Sequence, residues 1–236
     1  MDERTQLTST TPKFNRYLWF ASLFVLIQFV QVPVILFKLI PQNNIGLRLV
    51  NAVAYIGAFA LVIWLAYFLL KRLPNRTYFT KLTMKQWGLT LIGLVAFFAA
   101  EMVLSTLNAA IDGQTQTANN EVIQNLMSAD KWSLYLMVIS GIFLSPVLEE
   151  MVFRGYLMNA FFKPESIWLP VIVSGVIFSL GHGSTTIMSF LIYATMGAIL
   201  AFVYRRTGSL RASIAIHMIN NAFAMLALLA SILVTK

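Results

Sequence analysis

Glu149 and Glu150 stand side by side in an otherwise apolar stretch, Leu134 to Phe162, and Arg154 follows the second acid by four residues. A charged side chain at the centre of a bilayer costs from ~2.5 to ~17 kcal/mol, depending on the method. Two adjacent acids and a guanidinium in such a place therefore need a purpose. The chain has only two histidines, His182 and His217, and both lie within or at the edge of apolar segments. Carboxylates and imidazoles are the usual general acids and bases. The proton-transfer chemistry open to this chain is thus concentrated where lipid is expected, which implies a polar reaction site enclosed by hydrophobic helices.

Spacing within each segment refines that expectation. On a helix, Glu150 and Arg154 are four apart with the acid first, the favourable order for an ion pair. Glu149 is rotated by about 100° and points elsewhere. Phe178 and His182 are four apart, so the ring can pack beneath the imidazole, and the flanking Gly181 and Gly183 mark a helix end with room around it. His217 and Asn221 are also four apart in the last apolar segment, with Asn220 partly on the same face. Taken singly, each pair has a structural reading: ion-pair glue, a helix-end cap, or an interhelical hydrogen bond. Glu101 is the remaining intramembrane charge. No partner for it is identifiable, and a structural role is the preferred expectation.

The elements that must position these groups are helices. Of 236 residues 58% are hydrophobic and only 11% charged, against about 25% charged in soluble domains. A span needs roughly 20 mostly apolar residues, and the candidates are Tyr17–Ile40, Leu49–Leu70, Trp87–Leu107, Trp132–Phe162, Ile167–His182, Ile187–Tyr204 and Leu210–Val234. The first is too long for a signal-peptide core of ~7–15 residues and reads as a retained span. The fourth is too long for an upright one, so it is tilted, broken near Pro146, or continued along the interface. The expected fold is all-α, a polytopic membrane helix bundle of seven to eight transmembrane helices. Residues 1–131 would supply N-terminal helices and a long outward loop from Asn108 to Lys131, and residues 132–236 a catalytic core integrated with them.

Charge gives the expected orientation. The net charge is +8, but with a cytoplasmic N-terminus thirteen of the 17 lysines and arginines fall on the inner side. Arg4, Arg76, Arg154, Arg205 and Arg211 are among them. Lys38, Arg48, Lys131 and Lys236 fall outside. That asymmetry is the positive-inside pattern and argues for contact with lipid headgroups, with no nucleic-acid partner. Cysteine is absent, so neither disulfides nor thiolate ligands are available. The oligomeric state leaves no trace in the sequence.

The three segments together resemble a known family. Glu149-Glu150-Met-Val-Phe-Arg154, Phe178-Ser-Leu-Gly-His182 and His217-Met-Ile-Asn-Asn221 look like the EExxxR, FxxxH and HxxxN motifs of the CPBP family. That group contains the type II CAAX prenyl endopeptidase and bacterial Abi-type proteins, some linked to bacteriocin self-immunity. The likeness covers about Leu134 to Ala224. It implies an intramembrane endopeptidase of the bacterial cytoplasmic membrane, acting on a peptide or membrane protein. Bacteria generally do not prenylate proteins, so for a bacterial chain the CAAX label would misname the substrate. By the resemblance, Glu149 is the catalytic acid that activates water with His182. His217 and Asn221 stabilise the oxyanion, while Glu150, Arg154 and Phe178 support the site. A metal-independent mechanism is preferred. The alternative cofactor is a divalent metal such as zinc on Glu149, His182 and His217, although these lack the compact HExxH arrangement. A non-enzymatic immunity or binding protein of the same fold and a proton-coupled transporter are the competing functions.

One geometric obstacle stands against the site. At ~1.5 Å per residue, His217 lies shallow from the inner edge and His182 much deeper. Glu149 can meet both only if the fourth segment is tilted or extended.

Overall fold

In the computed structural model, which describes residues 13–73 and 77–234, every regular element is a helix. Arg4, Arg76 and Lys236, counted above for topology, lie outside the described residues. The first span is α1 (Lys13–Phe29) and α2 (Val32–Leu36), separated at Val30–Gln31 just ahead of Pro33 and closed by one 3-10 turn. Then follow α3 (Ile45–Leu70), α4 (Met84–Asp112), α5 (Ala118–Ala129), α6 (Lys131–Phe161), α7 (Trp168–Leu180), α8 (Ile187–Thr207) and α9 (Leu210–Val234). Among the described residues six helical stretches are long and apolar enough to cross a membrane. The seventh apolar helix, α7, has 13 residues. At 1.5 Å per residue it spans ~20 Å, short of a ~30 Å hydrocarbon core. Large apolar side chains such as Leu61, Trp64, Leu91, Ile92 and Ile172 are exposed, as expected of surfaces solvated by lipid tails.

Local chemistry fixes the helix ends. Thr83 and Thr186 begin α4 and α8 with reciprocal capping boxes to Gln86 and Ser189, and Thr117 and Asp130 cap α5 and α6. Gly113 and Gly208 end α4 and α8 at φ +67° and +68°, a left-handed geometry that glycine adopts without Cβ strain.

Two features differ from the sequence expectation. The stretch from Asn108 to Lys131 is not one long loop: α4 runs to Asp112, and the 12-residue α5 follows. Its polar residues conceal a helical stripe in which Met127 is buried and Ile123 and Leu126 pack on the core. Arg154, counted as an inner-face cation, is fully buried in the bundle, so it contributes no headgroup contact. Elsewhere the basic residues do cluster at one end: Arg16 and Arg205 donate to the carbonyls of Ala160 and Met158, at the end of α6. At the opposite end Arg48 ties α3 to Asp130 at the start of α6 (2.8 Å) and to the carbonyls of Ile40 and Pro41.

The long fourth span resolves as one continuous helix with two π-helical stretches, Ser140–Leu144 and Met151–Leu157. Pro146 offers no N–H to the carbonyl four residues back, and its ring crowds that turn. Widening to π geometry directly before it relieves the crowding without breaking the helix. The six residues between the two widened turns, Ser145–Glu150, carry both acids.

Candidate active site

Glu150 and Arg154 form the floor. Both are fully buried, and Arg154 Nη1 donates to Glu150 Oε1 at 2.9 Å. Arg154 Nη2 donates to the carbonyl of Gly197 on α8 at 2.7 Å, and the guanidinium carbon lies 4.6 Å from the centroid of Phe178. One side chain therefore joins α6, α7 and α8. The close approach is possible because Gly197 and Gly175 meet without side chains: a Cβ on Gly175 would sit 2.5 Å from the carbonyl oxygen of Ala194.

Above that floor Glu149 faces both imidazoles. Its Oε2 is 3.8 Å from His182 Nε2 and 3.9 Å from His217 Nε2, and it has no hydrogen-bond partner among the described residues. The other nitrogen of each ring is engaged. His182 Nδ1 lies 2.7 Å from the carbonyl oxygen of Phe178, which can only accept, so Nδ1 carries the proton. His217 Nδ1 lies 2.9 Å from Glu150 Oε1, an oxygen already paired with an always-charged guanidinium, so it too is the donor. In their neutral forms both rings therefore turn a bare Nε2 lone pair toward Glu149.

The depth obstacle disappears through two local features. The chain turns after Leu180, with Gly183 at φ +58°, and the His182 ring folds back over Phe178, centroids 4.3 Å apart. Phe178 in turn touches the His217 ring at 5.8 Å. Glu149 and Glu150, between the two widened turns of α6, meet the rings from the other side.

These groups line a cavity of about 430 Å³, and its walls contain residues that sequence reasoning left unassigned. Tyr193 on α8 stacks on His182 (centroids 4.4 Å, planes 23° apart), and its hydroxyl lies 2.6 Å from Thr117 Oγ1 at the cap of α5. Asn221 is not wholly free: its Nδ2 donates to the carbonyl of Gly141, in the first π stretch, at 2.9 Å, leaving one N–H for the cavity. Asn220, buried and lining the same space, makes no side-chain hydrogen bond to any of the described residues. Glu101 also faces the cavity. The helical step from His217 to Asn220 was readable; the stacking of Tyr193 was not.

Zinc ligands at ~2.0–2.1 Å stand roughly 3.3 Å apart around a tetrahedron. The acid–imidazole separations exceed that by about half an ångström, and no group of three or more His, Asp or Glu side chains among the described residues is gathered closely enough to hold an ion. The gap suits a single water that donates hydrogen bonds of ~2.8 Å to two of the three acceptors at a time.

Comparison with known proteins bears on the same stretch. The family model described as type II CAAX prenyl endopeptidase Rce1-like matches residues 131–223. The chain is 30% identical over 222 residues to the membrane-embedded CAAX protease MroQ of Staphylococcus aureus, covering 86% of this chain and 85% of that one. The chain belongs to the Rce1-like family. Two further relatives of this Rce1-like protein come from Bacillus subtilis. YyaK is 26% identical over 234 residues (89% of this chain, 75% of that one). YdiL, provisionally named a membrane peptidase, is 25% identical over 144 residues, and the match spans only 59% of this chain and 57% of YdiL. No solved structure matches. The family is one of membrane proteases, and its model covers α6 through most of α9, the helices that carry all three motifs.

Proposed function

We propose that this Rce1-like chain is an intramembrane endopeptidase that hydrolyses a peptide bond in a membrane-associated peptide or protein with water held by Glu149, His182 and His217. The observation that carries the reading is the unpartnered Glu149 Oε2 facing two imidazole Nε2 atoms at 3.8 and 3.9 Å. Three acceptors converge on a space sized for water. Such a water donates its two protons to two of these acceptors at a time and keeps its lone pairs for the cavity.

As the water oxygen bonds to the substrate carbonyl carbon, one water proton passes to Glu149. When the C–N bond breaks, Glu149 returns that proton to the leaving nitrogen, the usual exchange of base and acid roles. His182 holds the second water proton in line. Negative charge on the tetrahedral oxygen is met by the free N–H of Asn221 and by the carboxamide of Asn220. Loss of one such donor typically costs about 10²–10³ in rate. His217, locked by Glu150, offers its Nε2 as the alternative acceptor for the water. With the basic end of the bundle cytoplasmic, the α5 segment lies over the opposite side of the cavity. No step passes through a metal.

The test compares membrane peptidomes of cells expressing the wild type and Glu149→Gln, with and without a chelator. Fragments that vanish in the variant and survive the chelator are expected. Identical peptidomes would overturn the reading, and loss on chelation would move it to a metallopeptidase. A protective phenotype that survives Glu149→Gln would favour the immunity reading, and solute or proton flux in sealed vesicles the transporter.

A further inference from the structure

Among the described residues, three acids of the bundle face basic groups, whereas Asp112 at the end of α4 and Glu101 within it do not. Glu150 has Arg154, Asp130 has Arg48, and Glu149 has two imidazoles. Glu101, past the middle of α4, has no hydrogen bond and no ion pair among the described residues, although it is half-buried in a span. An ionisable group at such a position is retained against a substantial cost, and those that persist characteristically mark a pathway or a ligand. A structural role through bonding to a neighbouring helix would require a bonded neighbour.

Position adds to this. Phe97, Glu101, Ser105 and Asn108 recur at helical spacing and all line the cavity that contains Glu149. Phe97 packs in the same cluster as Phe153 and Phe178, at the level of the reaction centre. Glu101 is one turn further along, about 5–6 Å.

A second observation is independent of the first. The chain carries 17 Lys and Arg against nine acids, yet the cavity wall contains two glutamates and neither a lysine nor an arginine. The charge balance of the molecule is inverted along this wall.

We propose that Glu101 is a specificity subsite for a cationic nitrogen of the substrate, either a Lys or Arg side chain or a free amino terminus. This rests on the endopeptidase reading. An extended peptide advances ~3.3 Å per residue, so the cation lies one to three residues from the bond cleaved. Closing on the cation supplies the partner that Glu101 lacks, and the neutral amides of Gln116, Asn119 and Asn120 offer no competing charge.

The test uses the full-length protein in vesicles and peptides with one apolar membrane-spanning segment. Each carries an internal Lys with an acetylated amino terminus, norleucine in its place, or norleucine with a free amino terminus. A charge-assisted bond corresponds to a preference of about tenfold to hundredfold. The wild type is expected to favour one cationic peptide by that factor in kcat/KM, chiefly through KM, and Glu101→Gln to flatten the ratio. Which cationic peptide wins distinguishes side chain from terminus. Glu101→Lys should reverse the order toward a peptide carrying Glu. Equal treatment of cationic and neutral peptides by the wild type, or a preference undiminished in Glu101→Gln, would overturn the proposal. Fluorescent peptide binding to Glu149→Gln protein, with and without Glu101→Gln, gives the same ratio without turnover. If no peptide is cleaved yet that ratio holds, the protease reading fails and the cation site stands.

Discussion

Removing Glu150 separates what holds the bundle together from what prepares it for chemistry. Its Oε1 accepts from Arg154 at 2.9 Å and from His217 at 2.9 Å, and both acid and guanidinium are fully buried. Glu150→Ala leaves an uncompensated guanidinium whose remaining acceptor is the Gly197 carbonyl. Breaking a buried pair from one side typically costs about 3–5 kcal/mol, whereas replacing both partners with apolar groups is often neutral. Unfolding in mixed detergent micelles should therefore show Glu150→Ala destabilised by that amount, and Glu150→Leu with Arg154→Met recovering most of the loss. Activity should not recover with it. His217 Nδ1 loses the acceptor that fixes its tautomer, a change whose cost ranges from about tenfold for outer partners at metal sites to about 10⁴ in a catalytic triad. Cleavage in the stable double variant should stay at least tenfold below wild type. A double variant that regains both stability and cleavage would refute the locked-tautomer argument. A loss below 1 kcal/mol in Glu150→Ala would refute the buried pair as a structural element.

Gly175→Ala places a Cβ against the backbone of Ala194 and Ala198; α7 and α8 must part, and thermal unfolding should report about 1–3 kcal/mol of destabilisation together with lost cleavage, because α7 carries His182. Arg48→Ala strips Asp130 of its 2.8 Å partner and frees two carbonyls at the far end, so stability should fall by about 3 kcal/mol or more while KM of the folded fraction is unchanged. Tyr193→Phe keeps the ring on His182 but loses the bond to Thr117, and unfolding should show about 0.5–1.5 kcal/mol. Tyr193→Ala removes the ring as well and should lower kcat more than Tyr193→Phe does.

The helices and the motif residues were legible because both signals are local. A run of twenty apolar residues, a glycine after a helix, and an acid four residues before an arginine each encode their consequence within one or two turns. Convergence was harder, since counting residues along straight rods put His182 and His217 at different depths. The correction comes from non-ideal geometry: the π stretches around Ser145–Glu150, and an imidazole folded back onto the Phe178 carbonyl. The helix Ala118–Ala129 was hidden by its polar residues, and only the spacing of Ile123, Leu126 and Met127 betrays it. The engagement of Asn221 with Gly141 and the orientation of Glu101 depend on which face of each helix the others leave open. No single segment carries that information.

The central claim is that Glu149, His182 and His217 act on one water. A double-mutant cycle of Glu149→Gln and His182→Ala on purified protein in vesicles tests it directly, with a peptide taken from the peptidome comparison. Groups acting as a unit are grossly non-additive, so each single change should abolish nearly all cleavage and the pair should cost little more than either alone. Losses that multiply, or a Glu149→Gln protein retaining more than about a tenth of wild-type rate, where general acid–base groups are worth 10²–10⁴, would contradict it.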